Sequence, residues 1–224
     1  MKDTFGGKAV SFFMNLNHPQ NLPDNISTMN PYENKDTQKV ITQFYDKYFS
    51  DKNKRIFIVG INPGRFGGGI TGIAFTDPIN LEEYCGIKNA FDKKPELSSR
   101  FVYKLIECYG GAEKFYKRFF VSALYPLALI KEEKNYNYYD SKQVYNSLKP
   151  EIIKLFKQQI EFGAEKDIVV CLGKKNEKYL KEMNKEIKYF KEIITLDHPR
   201  YIMQYKFKSV DEYINNYSKI LTKI

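Results

Sequence analysis

Four short apolar segments alternate with helical segments along this chain, and each ends at or just before a glycine, a proline or a polar residue. They span residues 55–60, 119–127, 167–173 and 192–196. A continuous apolar run that stops at a turn signal is typical of a strand buried on both faces. Strands that alternate with helices form parallel sheets covered by helices. The pattern therefore predicts an α/β fold with a four-stranded parallel sheet covered on both faces.

The helical segments carry apolar residues at helical spacing. They are predicted at residues 36–49, 140–160 and 174–183 and from residue 209 onward. Asp36 is the expected cap of the first helix, and Ser209 with Glu212 is the expected capping box of the last. Pro150 either kinks the second helix or marks a second start within it.

The most unusual residues follow these strands directly. Asn62 follows the first strand, Ser122 lies near the end of the second, and His198 follows the fourth. In open parallel sheets, ligands bind beyond the carboxyl ends of the strands. We therefore expect the functional site at this edge of the sheet.

A glycine-rich stretch, GINPGRFGGGITGIAF, begins at the end of the first strand. Six of its sixteen residues are glycine. It lacks the G-x-G-x-x-G order of a dinucleotide site and the G-K-[ST] ending of a P-loop. It is either a surface loop with several turns or a loop that lets another molecule approach the backbone and meet its N–H groups.

Asn62 and His198 limit the chemistry that this edge can perform. Pro63 holds Asn62 out of the helical region, so its amide can project stiffly and orient a water molecule. His198 precedes a proline at a strand end, where it is either structural or catalytic, and Asp197 is a candidate to orient it. The sequence shows no carboxylate pair, serine triad or metal-ligand set beside them. An amide and an imidazole suit a dissociative reaction such as cleavage of an N-glycosidic bond.

Composition narrows the partners and the compartment. The net charge of +9 favours polyanions such as nucleic acid. Three scattered cysteines argue for reduced thiols in the cytoplasm, against a disulfide frame, zinc or an iron–sulfur cluster. No apolar run is long enough to cross a membrane, and the first residues do not resemble a signal peptide.

The glycine-rich stretch resembles motif 1 of the single-strand-selective monofunctional uracil-DNA glycosylases, G-M-N-P-G-P-F-G-M-x-x-T-G-V-P-F. The matching positions are Gly60, Asn62, Pro63, Gly64, Phe66, Gly67, Thr71, Gly72 and Phe75. FVSALYPL is similar to the F-V-x-N-x-x-P-L segment of this family, and His198-Pro199 matches the start of its H-P-S-P-R loop. The resemblance implies the uracil-DNA glycosylase fold, a three-layer α/β/α sandwich that needs no metal or cofactor.

The resemblance also implies roles for individual residues. Asn62 would position the hydrolytic water, and His198 would stabilise the departing base. Phe75 would stack on the base after its extrusion from the helix. The expected base-binding residues are Phe75, Gly60, Ile61, Gly64, Ser122 and Ala123. The expected DNA-binding residues are Arg65, Phe66, Gly67, Arg200, Tyr201, Ile202 and Met203.

This sequence departs from the family pattern at two places. The base-reading asparagine of the family aligns with Ala123, which lacks a hydrogen-bonding side chain; Ser122 is a candidate substitute. The absence of that amide predicts a relaxed substrate range that includes deaminated purines such as xanthine or hypoxanthine. The H-P-S-P-R loop becomes HPRYIMQYK. Either residues 200–203 form an intercalating loop, in which Arg200 is better placed for a phosphate, or Tyr201 and Ile202 pack into the core.

We expect a single domain over residues 1–224, with residues 1–35 as an N-terminal extension packed on it. The expected protein is a monomeric, cytoplasmic DNA glycosylase without strand-cleavage activity, acting on single- or double-stranded DNA that contains a deaminated base. Two alternatives remain open. One is a non-catalytic module that binds damaged or single-stranded DNA, and the other is a hydrolase of nucleosides or nucleotides.

Overall fold

The computed structural model describes residues 3–224, so residues 1 and 2 of the expected extension lie outside the described residues. The helices are α1 (Phe5–Met14), α2 (Lys35–Tyr48), α3 (Gly68–Thr71), α4 (Pro78–Glu83), α5 (Leu97–Tyr109), α6 (Ala112–Arg118), α7 (Lys142–Ile160), α8 (Lys174–Ile187), α9 (Pro199–Tyr205) and α10 (Val210–Lys223). The strands are β1 (Ser27–Met29), β2 (Arg55–Gly60), β3 (Phe119–Ala123), β4 (Ala128–Lys131), β5 (Lys134–Tyr136), β6 (Ala164–Leu172) and β7 (Glu192–Leu196). Short 3-10 helices span Pro31–Glu33 and Phe207–Ser209.

The central sheet has four parallel strands in the order β3-β2-β6-β7, as predicted. All residues of β2 and β3 are buried, which explains why these strands are mostly apolar instead of alternating. Adjacent residues of a strand point to opposite faces, so each face of the sheet receives its own helices. The result is the predicted three-layer α/β/α architecture.

Aromatic contacts define one face of the sheet. The rings of Phe57 and Phe120 pack against Phe5 of α1 at centroid distances of 6.3 and 5.0 Å. Phe120 also lies beside Tyr45 of α2. On the opposite face, Ile58 lies with residues of α5 and α10 around a small apolar gap. These two layers hold the carboxyl ends of the strands in place.

A second sheet was not predicted. Strands β1, β4 and β5 form an antiparallel sheet in the order β1-β4-β5. The second predicted strand was expected to run into a loop at Pro126, but β3 ends earlier, at Ala123, and the chain turns before β4. The turn between β4 and β5 contains Glu132 and Glu133, both in the left-handed backbone region. This hairpin brings residues 134–138 toward the carboxyl end of β2.

Helix ends differ from the predictions in two cases. Asn34, not Asp36, caps α2, because its side chain accepts the Asp36 backbone N–H at 2.8 Å. Ser209 makes no side-chain capping bond, since its backbone lacks the extended conformation that a capping box requires. Helix α7 continues through Pro150 without a second start.

The region between residues 76 and 118 was left unassigned by the sequence pattern, and it contains α4, α5 and α6. The first 35 residues contain α1 and β1. Helix α1 packs on α2, and a Cβ at Gly6 would lie 2.6 Å from the Tyr45 carbonyl oxygen. Within residues 3–224, no helix is both long and apolar enough to cross a lipid bilayer.

Candidate active site

A cavity of about 300 Å³ opens at the carboxyl ends of the central strands. Asn62, Phe75, Ala123 and His198 line it together. These residues come from different parts of the chain, and the parallel order of the strands brings them to one edge. Ile61, Gly64, Arg200 and Tyr201 also line the cavity.

The oxygen and the nitrogen of the Asn62 amide are both hydrogen-bonded to backbone groups in the β5 hairpin, the segment from β4 to Tyr138. Its Nδ2 donates to the Tyr136 carbonyl at 3.0 Å, and its Oδ1 accepts the Tyr138 backbone N–H at 3.2 Å. An amide has two donors and two acceptor lone pairs. One donor and one acceptor site therefore remain on a side chain whose orientation is set by the backbone.

A buried network of hydrogen bonds connects Tyr138 to the start of α8 and to the end of β2. The Tyr138 hydroxyl donates to Asn176 Oδ1 at 2.7 Å, and Asn176 Nδ2 donates to the Gly60 carbonyl at 3.0 Å. Asn176 is fully buried at the start of α8. Sequence reasoning missed Tyr136, Tyr138 and Asn176, because their role depends on the unpredicted hairpin and on the packing of α8.

His198 caps helix α9. Its Nδ1 accepts the Arg200 backbone N–H at 3.2 Å, so the proton of the neutral ring lies on Nε2. Burial, together with the positive charge of Arg200, lowers the pKa of His198 to about 4. The ring is therefore neutral at pH 7 and has a free N–H donor. The expectation that Asp197 orients it is wrong, because the Arg200 N–H occupies Nδ1.

Phe75 forms an aromatic wall of the cavity. Its ring lies 5.6 Å from the His198 ring, centroid to centroid. A Cβ at Gly60 would approach the Phe75 ring to 2.6 Å, so only glycine leaves room for the ring there. Phe75 has φ of 53°, a left-handed backbone conformation that a non-glycine residue seldom adopts. The fold thus maintains a strained residue at this wall.

The glycine-rich loop is anchored next to Asn62. The Arg65 backbone N–H donates to Asn135 Oδ1 at 3.0 Å, and the Arg65 guanidinium lies 4.5 Å from the centroid of the Phe66 ring. Gly64 and Gly67 leave room for the Glu96 carboxyl, since a Cβ on either would lie 2.1 or 1.9 Å from one of its oxygens.

Glu96 is a cavity residue that the sequence analysis did not identify. Burial and the negative charge of Asp77 raise the pKa of Glu96 to about 7, against the opposite effect of Arg200. Its backbone N–H donates to Asp77 Oδ2 at 2.9 Å. Acidic residues are common at the start of a helix, because a negative charge there interacts favourably with the helix dipole. No sequence signal separates Glu96 from such residues.

Ser122 does not face the cavity, so the expectation that it binds the base is wrong. Its hydroxyl donates to Gln159 Oε1 in the core, whereas Ala123 lines the cavity. This difference follows from the alternation of side chains along β3. The base-reading amide of the resembled family therefore has no replacement on this strand.

The predicted intercalating loop is also corrected. Residues 199–205 form helix α9, and Ile202 and Met203 point into the core with exposures of 0% and 5%. Tyr201 and Tyr205 are exposed instead, at 42% and 72%, and both line the cavity mouth. Their rings lie 5.6 Å apart. Because a helix repeats about every 3.6 residues, Ile202 and Met203 face the core while the residues on either side of them face solvent.

Comparisons with known proteins agree with this geometry. The sequence model described as "Uracil DNA glycosylase superfamily" matches residues 47–222. The crystal structure of wild-type SMUG2 from Pedobacter heparinus superposes with a TM-score of 0.95 and 42% sequence identity, covering 98% of this chain and 97% of that one. Comparison with curated proteins gives no match.

Proposed function

The chain belongs to the uracil-DNA glycosylase superfamily, and from this premise we propose that it is a monofunctional DNA glycosylase that hydrolyses the N-glycosidic bond of a deaminated base. The observation that carries the proposal is the pair of Asn62 and His198 in one cavity. Asn62 presents a fixed amide, and His198 presents a neutral N–H donor. Such a site initiates base-excision repair by leaving an abasic sugar in the DNA.

Asn62 positions the water nucleophile. Its remaining acceptor takes a hydrogen bond from the water, so that the water oxygen faces C1′ of the sugar. Because backbone groups of the β5 hairpin hold the amide, the water is oriented before the bond begins to break.

His198 stabilises the leaving group. As the bond between C1′ and the base nitrogen lengthens, its electron pair moves into the base, and negative charge develops on an exocyclic carbonyl oxygen of the base. The Nε2–H of His198 donates to that oxygen, and this interaction is stronger in the transition state than in the ground state. The low pKa of His198 keeps the ring in this neutral form at physiological pH.

Phe75 and the rim of α9 hold the base and the DNA. The extruded base stacks on the Phe75 ring, while Tyr201 and Tyr205 fill the space that the base leaves in the DNA duplex. Arg200, which is exposed beside them, contacts a phosphate. In this proposal the wedge consists of the two exposed tyrosines and not of Ile202 and Met203.

Ala123 widens the substrate range. A methyl group replaces an amide that would distinguish one base edge from another, so the cavity accepts both uracil and deaminated purines. We propose that xanthine and hypoxanthine are substrates together with uracil.

The test is base release from single- and double-stranded oligonucleotides that contain one uracil, hypoxanthine or xanthine, with no added metal. We expect abasic sites to form and Asn62→Ala to lower the rate by about 10²- to 10⁴-fold with little change in DNA affinity. Asn216→Ala, at an exposed position on α10, is the matched control.

Two outcomes contradict the proposal. Tight binding of lesion DNA without base release by the wild-type protein would indicate a binding module. Release of base from free deoxyuridine, at a rate above that from DNA, would indicate a nucleoside hydrolase.

A further inference from the structure

Glu96 has no role in the proposed hydrolysis, yet its carboxyl lies in the same cavity. It occupies the cap position of α5 without making a side-chain capping bond. Its oxygens lie over Gly64 and Gly67. Among the described residues, neither oxygen has a hydrogen-bond or ion-pair partner. A partly buried carboxyl that lines a cavity without a partner is a candidate functional group.

The surroundings of Glu96 favour its neutral form. Burial and the negative charge of Asp77 raise its pKa to about 7, so a large fraction carries an O–H donor near neutral pH. Asp77 is itself fully buried and bonded to the first turn of α4 through Oδ1. The other ionisable side chains around Glu96 are Arg200, His198, Tyr201 and Tyr205 in the cavity, and Arg65 and Lys94 beside the Phe66 ring.

The position of Glu96 determines which edge of a base it meets. Gly64, beneath the carboxyl, is two residues from Asn62, which acts at the glycosidic bond. In a purine the glycosidic nitrogen belongs to the imidazole ring, whose other nitrogen, N7, is an acceptor. Glu96 therefore reaches the imidazole edge when the base enters with its lactam edge deeper in the cavity. On the corresponding side of its glycosidic nitrogen, uracil has only C6–H and C5–H, because its O2 lies on the opposite side.

We propose, on the basis of the function proposed above, that Glu96 is a specificity-determining residue that donates a hydrogen bond to N7 of an extruded deaminated purine. As the bond between C1′ and N9 breaks, its electron pair enters the imidazole ring, and the hydrogen bond at N7 becomes stronger. Hypoxanthine and xanthine gain this stabilisation, and uracil does not. The ionised carboxylate has no donor and repels the N7 lone pair.

A binding experiment tests this without requiring hydrolysis. The probes are oligonucleotides in which a 2′-fluoroarabino sugar carries either hypoxanthine or 7-deazahypoxanthine, which has C–H in place of N7. We expect the wild-type protein at pH 6 to bind the hypoxanthine probe about 10-fold more tightly, the effect of about one hydrogen bond. The preference disappears at pH 8.5 in the wild-type protein. It disappears at both pH values in Glu96→Ala.

Two variants separate recognition from structure. Glu96→Gln keeps a donor that does not ionise, so its preference for N7 persists at both pH values. Glu212→Ala, at an exposed position on α10, keeps the wild-type behaviour. Equal affinity of the wild-type protein for the two probes at pH 6, or an unchanged preference in Glu96→Ala, would overturn the assignment.

Excision rates provide a second readout. In the corresponding cleavable DNA, Glu96→Ala slows hypoxanthine release about 10-fold more than uracil release. Equal slowing of both would show that Glu96 only supports the glycine-rich loop. The binding comparison judges Glu96, whereas base release by the wild-type protein judges the proposed function, so the two can fail separately.

Discussion

In the proposed reaction, His198 combines a structural and a chemical task in one side chain. Its Nδ1 caps α9, and its Nε2–H faces the cavity. Capping requires only an acceptor, while leaving-group stabilisation in the proposed reaction requires the donor. The two tasks can therefore be separated by substitution.

His198→Asn and His198→Ala make this separation. Asparagine is a good helix cap, so we expect its variant to keep the wild-type free energy of unfolding, whereas alanine costs about 1 kcal/mol. Both lose the Nε2–H, and we expect excision to fall by roughly 10²- to 10³-fold in each. Thermal unfolding and single-turnover excision measure the two effects. A near-normal excision rate in His198→Asn would reduce His198 to a helix cap.

At the scale of elements, α9 decides which residues of this segment are exposed. The sequence HPRYIMQYK predicted a loop, but residues 199–205 form a helix. His198 caps this helix, and Pro199 occupies its first position, where the fixed φ of proline suits the helical backbone. The helix turns Ile202 and Met203 into the core and Tyr201 and Tyr205 outward. The surface that we propose for DNA contact is thereby aromatic instead of aliphatic.

Tyr205→Ala tests the wedge. Because a wedge replaces an extruded base within a duplex, we expect excision from double-stranded DNA to fall about 10-fold, in line with the loss of one stacking contact. Single-strand excision changes less, since no paired stack has to be filled. Tyr84→Ala removes an exposed tyrosine outside the cavity and is the control. A loss that is equal on both substrates would argue against intercalation.

At the scale of the whole molecule, Arg55 joins the N-terminal segment to the sheet. It is fully buried, donates to Asp51 and to the carbonyls of Asn53 and Tyr116, and lies 5.6 and 5.5 Å from the Phe5 and Phe49 rings. Its contacts thus include α1, α6 and the loop before β2. We propose that residues 1–224 unfold as one domain, because these contacts are shared.

We expect Arg55→Ala to lower the free energy of unfolding by about 3–5 kcal/mol, since it leaves carbonyl acceptors buried and a cavity among the rings. Lys191→Ala removes an exposed ion pair with Asp167 and should cost less than about 1 kcal/mol. Urea denaturation followed by fluorescence and circular dichroism measures both. Separate transitions for the two probes in the wild-type protein would contradict a single domain.

The local pattern of the sequence was sufficient to predict the central sheet and the strand ends where Asn62 and His198 lie. Buried parallel strands are continuous apolar runs, and their ends carry turn residues, so both signals are local. The motif around Asn62 also predicted membership of the uracil-DNA glycosylase superfamily, which the comparisons confirm. The amphipathic stripe of α2 was predicted correctly for the same reason, because helical spacing is visible in a short window.

Tertiary structure alone decided which side chains enter the cavity. The β5 hairpin holds the Asn62 amide through backbone groups, which carry no sequence signal, and Glu96 reaches the cavity across two glycines that lie about thirty residues earlier in the sequence. Whether Ser122 or Ala123 lines the cavity depended on which face of the sheet each residue of β3 points to. Whether Ile202 or Tyr205 lines it depended on whether residues 199–205 form a helix. These outcomes depend on contacts between distant segments, whose free energies a local pattern does not contain.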